Sequence, residues 1–443
     1  MTTVTAVGSA AWTGGKEYGG DHAARITRFL QSINLEALQA HASKLRESRP
    51  CTVSPEFSVG NFNLVRLIQF DDGVKWVARL RMPPLIEGVG ETTPHTAPKM
   101  EYGQSIFSEM QSELATMEFV RLVSTWTSDN AIRNADHRSQ NTNIPIPKVY
   151  GYDLNEQNTV GCPFSFLEYV HGNTAEEVAR SFPGDHEGIP EQFEEKFWRQ
   201  FAKVMIQLAS VRMPKIGSIT RDEADPTKYV VGPLVETNSG PYESAAEFYT
   251  HYPLALGNKL SAEGKQAAGQ DEVLEAFRTL STSFQDNEAE GHYSKTFGLA
   301  NYDLNANNIL VDREFNILAV IDWDSVIAVP DAVLYRMPFL MGVACPIPGV
   351  VDNHPAVIRR LLLGKRFTRV VEDVSCEQDI GEDTKWPRFL FTQTGFFSKE
   401  ATAFRSLIYV KMGQEEVNGR WLTGLGWLRD HHDMDVIQLS FQS

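Results

Sequence analysis

The apolar positions change period along the chain, and these changes divide it into parts. From Asp21 to Ser48, Ile26, Phe29, Leu30, Ile33, Leu35, Leu38 and Leu45 recur at helical spacing, which predicts one or two amphipathic helices packed on something larger. The next segment turns to β-branched and aromatic runs at Thr52 to Phe57, Asn63 to Phe70 and Val74 to Met82. Between the last two, Asp71-Asp72-Gly73 predicts a hairpin, because such turns need positive φ values that Asp and Gly tolerate.

After Pro83-Pro84 and a Gly/Thr/Pro-rich stretch, helical spacing returns from Ser105 to Trp126, with Ile106, Met110, Leu114, Met117, Val120 and Leu122 on or near one face. Ile144 to Tyr150 reads as an extended edge and Pro163 to Val170 as a further strand. Beyond these, helical patterns dominate: Pro190 to Val211, Ser244 to His251, Asp271 to Phe284 and Phe404 to Glu416. One β-rich interruption runs from Asn308 to Ile327.

Composition changes this picture little. A chain of 443 residues with 42% apolar and 22% charged residues is long enough for two packed lobes. A net charge of -16 at pH 7 argues against a nucleic-acid partner, since phosphate backbones demand a basic surface. It serves solubility, or a cationic substrate if the carboxylates gather at a cleft. Cys51, Cys162, Cys345 and Cys376 lie far apart, which predicts reduced thiols rather than disulfides or zinc ligands.

The N-terminal stretch Met1 to Gly20 lacks the basic and apolar regions of a secretory leader and is expected to be a flexible lead-in. Met337 to Val351 is apolar but broken by Pro338, Pro346 and Pro348, so no membrane span is expected. Asp430, His431, His432, Asp433 and Asp435 resemble a metal cluster by composition. Neighbouring residues on a polar segment cannot all face one ion, however, and a solvated end is the expectation there. His171 and His292 are expected at the surface or in packing.

The β-rich interruption and the residues before it carry the chemistry. Asn301-Tyr302-Asp303-Leu304-Asn305-Ala306-Asn307-Asn308-Ile309-Leu310-Val311-Asp312 precedes Ile317-Leu318-Ala319-Val320-Ile321-Asp322-Trp323-Asp324. An Asp and an Asn five positions apart on a loop are thus followed by a hairpin leading to another Asp, a geometry able to gather all three. Phosphoryl transfer asks for such a set: one carboxylate to orient a hydroxyl, and oxygen ligands for Mg²⁺.

At these residues the chain resembles the aminoglycoside phosphotransferase family, whose pattern approximates H-x-D-x-x-x-x-N-I-L followed by I-D-W-[ED], in its branch abundant in fungi. Choline kinases and protein kinases share that distant fold. The resemblance implies an α+β, bilobal, protein-kinase-like fold with a small antiparallel sheet in the N-lobe and a larger, mainly helical C-lobe. Residues 1–49 would form a lead-in and helical extension, 50–167 the nucleotide-binding N-lobe, and 168–443 the catalytic and substrate-binding C-lobe.

The same resemblance implies a cytoplasmic, ATP- or GTP-dependent, Mg²⁺-assisted kinase of a small-molecule hydroxyl, with Asp303 as base and Asn308 and Asp322 as metal ligands. Gly60 and Asn61 fall where the family covers the nucleotide. Arg79 falls at the phosphate-contacting cation, with Arg81 as competitor, and Glu113 at its carboxylate partner, preferred over Glu109. Glu168, Tyr169 and Val170 fall at the adenine hinge. Neither nucleic acid nor membrane is implied as a partner.

The family's loop begins with His where this chain has Asn301, an amide that can also hydrogen-bond the loop. Tyr302 replaces a small residue, either facing a substrate ring or packing internally. Asn305, Ala306 and Asn307 depart from the bacterial H-P-G. These departures leave open a catalytically impaired nucleotide-binding protein and a kinase fold turned to another metabolite reaction. A protein kinase is disfavoured by the short segment from Asp322 to Pro330.

Overall fold

The computed structural model describes residues 6–84, 104–125, 142–183, 188–284, 296–338, 341–378 and 391–431. Two helices, α1 (Gly20–Ser32) and α2 (Leu35–Leu45), precede three strands, β1 (Cys51–Val59), β2 (Asn63–Phe70) and β3 (Lys75–Arg81). The helix α3 (Gln104–Thr125) and strands β4 (Val149–Asp153) and β5 (Phe164–Glu168) complete the N-lobe. Its antiparallel sheet runs β1-β2-β3-β5-β4.

Pleating gives that sheet two different faces. Leu64, Ile68, Ala78, Leu80, Phe164 and Phe166 form a buried core with Ile26 and Phe29 of α1 and Leu38 and Ala42 of α2. Successive strand residues point to opposite faces, so Arg79, between Ala78 and Leu80, points away from the two N-terminal helices.

The hairpin from β2 to β3 is a three-residue loop rather than one with paired positive φ values. The Gly73 amide donates to the Phe70 carbonyl at 3.0 Å and the Phe70 amide to the Val74 carbonyl at 2.9 Å. Of its residues only Gly73 is left-handed, at φ 84°, as a type I turn followed by one αL residue requires. The extended edge expected from Ile144 is a strand only from Val149. Pro145 and Pro147 have no N–H to give a ladder, and β4 is indeed the edge strand.

The C-lobe begins with β6 (Asn173–Thr174), α4 (Ala175–Arg180) and α5 (Glu191–Ser210), then β7 (Arg212–Met213), β8 (Gly217–Arg221) and β9 (Tyr229–Gly232). Next come α6 (Ala245–Ala262) and α7 (Gln270–Ser281), followed by β10 (Phe297–Asn301), β11 (Ile309–Val311), β12 (Ile317–Val320) and β13 (Val326–Val329). Two further sheets result, β7-β10-β13-β8-β9 and β12-β11-β6, so β structure in this lobe is not confined to the single interruption expected.

Helices at Pro355–Gln378, Lys399–Val410 and Glu415–Asp430 follow. The helix expected from Phe404 to Glu416 is therefore two helices separated by a turn. The large core joins these helices to α5, α6 and α7, and takes in Met117 and Val120 of α3. Among the described residues no helix is long and apolar enough to cross a membrane, and all four cysteines are free.

The flexible lead-in expected before Gly20 is packed over residues 6–19. The Gly14 amide donates to the Phe57 carbonyl at 3.1 Å, and the Ser9 amide donates to the Tyr169 hydroxyl at 3.0 Å.

Candidate functional site

Two antiparallel pairings bring the distant acidic residues together. Asn301 at the end of β10 pairs with Val326 of β13, while Ile309 of β11 pairs with Val320 of β12. Between these ladders, the loop carrying Asp303 must face the loop carrying Asp322. Two backbone bonds close the gap: the Tyr302 amide donates to the Ser325 carbonyl at 3.1 Å, and the Ile321 amide to the Asn308 carbonyl at 2.9 Å.

Three asparagines shape the first loop. The Asn301 side-chain oxygen accepts from the Asp303 amide at 2.9 Å, and its Nδ2 donates to the Asp322 carbonyl at 3.4 Å. The amide at the place of the family's His therefore links both loops. Asn305 Nδ2 donates to Asp303 Oδ1 at 2.9 Å, and Asn308 Nδ2 donates to Asp303 Oδ2 at 2.7 Å. Both carboxylate oxygens are held by neutral donors, which fixes their direction.

Burial raises the Asp303 pKa from its ordinary value, and the nearby Asp322 charge adds to this; Asn308, Arg336 and Asn305 act in the opposite direction. Amide hydrogen bonds favour the charged form less than a full cation does. The net result is a carboxylate with increased proton affinity.

On the N-lobe side, Arg79 gathers an ionic network. Its Nη1 donates to Glu113 Oε1, and its Nη2 donates to Asp322 Oδ1 at 2.8 Å. With its amide oxygen turned towards Arg79, Asn63 accepts from Nη2 and Nε at 2.8 and 3.0 Å. Glu113 is 4% exposed and also accepts from the Trp323 amide at 3.1 Å, tying α3 to the second loop. Burial works against the charge on Arg79, but Glu113 and Asp322 outweigh it and keep the guanidinium cationic. Arg81 makes a separate pair with Glu109 at 2.7 Å, so the two arginines take Glu113 and Glu109 of α3 separately.

Asp322 itself adopts a left-handed conformation, φ 62°, which Asp tolerates better than most residues. Its neighbour Asp324 is pushed up to about 7 by burial and then by the charges of Asp322 and Glu113.

Other expected positions lie further out. Gly60 and Asn61 form the exposed turn between β1 and β2, closed by the Gly60 amide donating to the Asn63 carbonyl at 2.9 Å. At the expected hinge, the Glu168 amide donates to the Lys148 carbonyl at 2.8 Å and the Val170 carbonyl accepts from Gly172 at 3.1 Å. Those two groups are thus engaged within the chain. The Tyr169 hydroxyl meets His171 Nδ1 at 3.2 Å. Tyr302 packs internally: Arg336 lies 4.8 Å from its ring centroid and Phe404 stacks on it at 6.4 Å.

Oxygen donors from Asn308 and Asp322 suit a hard cation that completes its shell with phosphates and water, as Mg²⁺ does. Among the described residues no three His, Cys, Asp or Glu side chains converge into an all-protein metal cage. His432, Asp433 and Asp435 of the terminal cluster, and His292, lie outside the described residues.

Sequence reading missed Asn305, Asn63 and Arg336 as parts of this site. A signal for Asn305 existed: Asx side chains often accept a hydrogen bond from the backbone two residues on. Asn301 and Asn305 both do so, towards Asp303 and Asn307.

No family model and no curated protein matches the sequence. Solved structures do. A putative fructosamine-3-kinase from Thermobifida fusca is 13% identical, with 90% of this chain and 100% of that chain covered and a TM-score of 0.42. The aminoglycoside phosphotransferase APH(4)-Ia, in a thermostable mutant, is 12% identical over 86% and 97% of the two chains, with a TM-score of 0.40. An ethanolamine kinase from Plasmodium vivax is 11% identical over 94% and 91%, with a TM-score of 0.38. The likeness is one of chain path alone. It assigns no chemistry to any residue.

Proposed function

We propose that this chain is a small-molecule kinase, transferring the γ-phosphoryl group of ATP or GTP to a hydroxyl, with Asp303 as the base that orients and deprotonates the acceptor. The observation that carries the reading is the meeting of two loops. One fixes a partly desolvated Asp303 between Asn305 and Asn308, and the other joins Asp322 to the Arg79–Glu113 pair.

Each residue has a distinct task in this reading. Asn305 and Asn308 hold the Asp303 carboxylate in one orientation, a requirement for a base that must reach one proton. The increased proton affinity of Asp303 improves proton acceptance. Arg79, kept cationic and aimed by Glu113, supplies positive charge for nucleotide phosphates. Asn308 and Asp322 would hold Mg²⁺, which when bound neutralises charge on the transferring group.

The test is transfer of label from γ-labelled ATP or GTP, with Mg²⁺, onto a panel of hydroxylated metabolites and a peptide array. Asp303→Ala is expected to lower transfer by about 10²–10⁴-fold while nucleotide binding persists. Binding without transfer to any acceptor would instead support an impaired nucleotide-binding protein, and labelling of peptides alone would support a protein kinase.

A further inference from the structure

The turn proposed to cover the nucleotide has one glycine, Gly60, rather than the several of a glycine-rich phosphate loop, yet it is held from outside. Gly60, Asn61 and Phe62 are exposed, whereas Arg25 of α1 is only 5% exposed. Its Nη1 donates to the Asn61 carbonyl at 2.8 Å and its Nε to the Pro83 carbonyl at 2.7 Å. One planar guanidinium thus bridges the turn to the chain leaving β3. The Met82 amide, donating to the Phe62 carbonyl at 2.8 Å, makes a second tie between the same two segments.

From this arrangement we infer that Arg25 is a positioning residue for the nucleotide site, acting through the turn rather than touching the nucleotide. The inference rests on the kinase reading above. A trans peptide places its carbonyl and the following N–H on opposite sides. Fixing the Asn61 carbonyl against α1 therefore directs the Phe62 N–H away from Arg25 and limits the turn to one orientation. A turn that must be ordered on binding loses affinity to that ordering, and a pre-ordered one does not. Arg25 supplies the order that a glycine-rich loop would acquire only around its ligand.

The rest of the N-terminal segment packs against residues 169–173, next to the expected hinge. The Gly8 amide donates to Asn173 Oδ1 at 2.9 Å, and Asn173 Nδ2 donates to the Ala6 carbonyl at 3.1 Å. Together with the bond from Ser9 to Tyr169, these contacts seat residues 6–9 on the hinge. Gly8 has φ 61°, and a Cβ there would collide with the Tyr169 hydroxyl and the His171 ring. Residues 6–32 therefore touch the hinge at one end and the phosphate-side turn at the other.

The experiment compares full-length wild type with Arg25→Ala, Arg25→Lys and Gly8→Ala. ATP binding is measured by calorimetry in Mg²⁺, and backbone hydrogen exchange over residues 59–63 is followed without nucleotide. Arg25→Ala is expected to speed exchange in the turn and to weaken ATP binding about tenfold, as the loss of a pair of hydrogen bonds worth about 1.4 kcal/mol in total would do. Arg25→Lys, which keeps the charge and its donors but loses the planar fork that spans both carbonyls, should fall between the two. In steady-state assays the KM for ATP should rise while kcat and the acceptor KM stay near wild type.

Should Arg25→Ala fail to fold, Arg25→Lys provides the same readouts, while Gly8→Ala, which disturbs the contacts at Tyr169 and His171, is expected to leave exchange over residues 59–63 as in wild type. Wild type that binds ATP, with every variant binding equally tightly, would overturn the inference and leave the kinase reading intact. A parallel fall in kcat and all affinities would reduce Arg25 to a stabilising residue and overturn it as well. Wild type that binds no nucleotide would sink both.

Discussion

The two halves of the site solve the problem of a buried carboxylate differently. Around Arg79, two carboxylates meet a full cation, and together they keep the guanidinium charged against burial. Around Asp303, the nearest donors are the neutral amides of Asn305 and Asn308, and burial wins: its proton affinity rises. A surface pair shows the opposite limit, since the Arg46 guanidinium holds Asp72 down to about 2. The partner, more than the residue type, decides whether a carboxylate anchors charge or accepts a proton.

The largest break in this comparison comes from removing one member of the ionic half. Glu113→Ala leaves Arg79 buried with Asp322 and the neutral Asn63 amide as its remaining partners and the Trp323 amide without its acceptor. Breaking a buried pair from one side costs about 3–5 kcal/mol, read as a fall in the urea midpoint at unchanged slope. A loss below about 1 kcal/mol would show that the pair behaves like a surface one and that the two halves do not differ as argued.

On the amide half the effect is smaller and shows mainly in pH dependence. Asn305→Ala removes a donor that lowers the Asp303 pKa, so the carboxyl should titrate at higher pH than in wild type. A base works only when deprotonated, so the acidic limb of kcat should move to higher pH, with activity lost sooner on acidification. The hydrogen bond to a charged group is worth about 1.5–3 kcal/mol. An unmoved acidic limb would mean that Asn305 shapes the loop without tuning the base.

These two halves were unequally legible in the sequence. The pairing of Arg79 with Glu113 was legible through the family resemblance, and the structure joins those two while Arg81 takes Glu109. The loop around Asp303 was visible as a motif and Asn301 as an amide able to bond it, but the bonds of Asn305 and Asn308 to the Asp303 carboxylate depend on how the loop closes in space. The C-lobe sheet escaped because β7 is two residues long and the other strands of its sheet, β8, β9, β10 and β13, no more than five, too short for a period of two to register. The helix Pro355–Gln378 did carry a signal, since Phe367, Val371 and Val374 are all fully buried at helical spacing. Arg25 left no trace in the pattern because its targets are carbonyls, which every residue has.

The smallest effect concerns the residue beside the base. Tyr302 stacks with Phe404 and lies under Arg336, but its hydroxyl is buried with no hydrogen-bond partner, and burial raises its pKa. A buried donor left unmatched costs about 1–3 kcal/mol, whereas the ring contacts survive in phenylalanine, which also accepts a cation on its face. Tyr302→Phe is therefore expected to stabilise the protein by about 1 kcal/mol and to leave the acidic limb of kcat in place. Destabilisation by a similar amount would mean that the hydroxyl has a partner in solution. It would then belong to the same polar scaffold as the three asparagines, and the acceptor half would be more completely satisfied than its geometry shows.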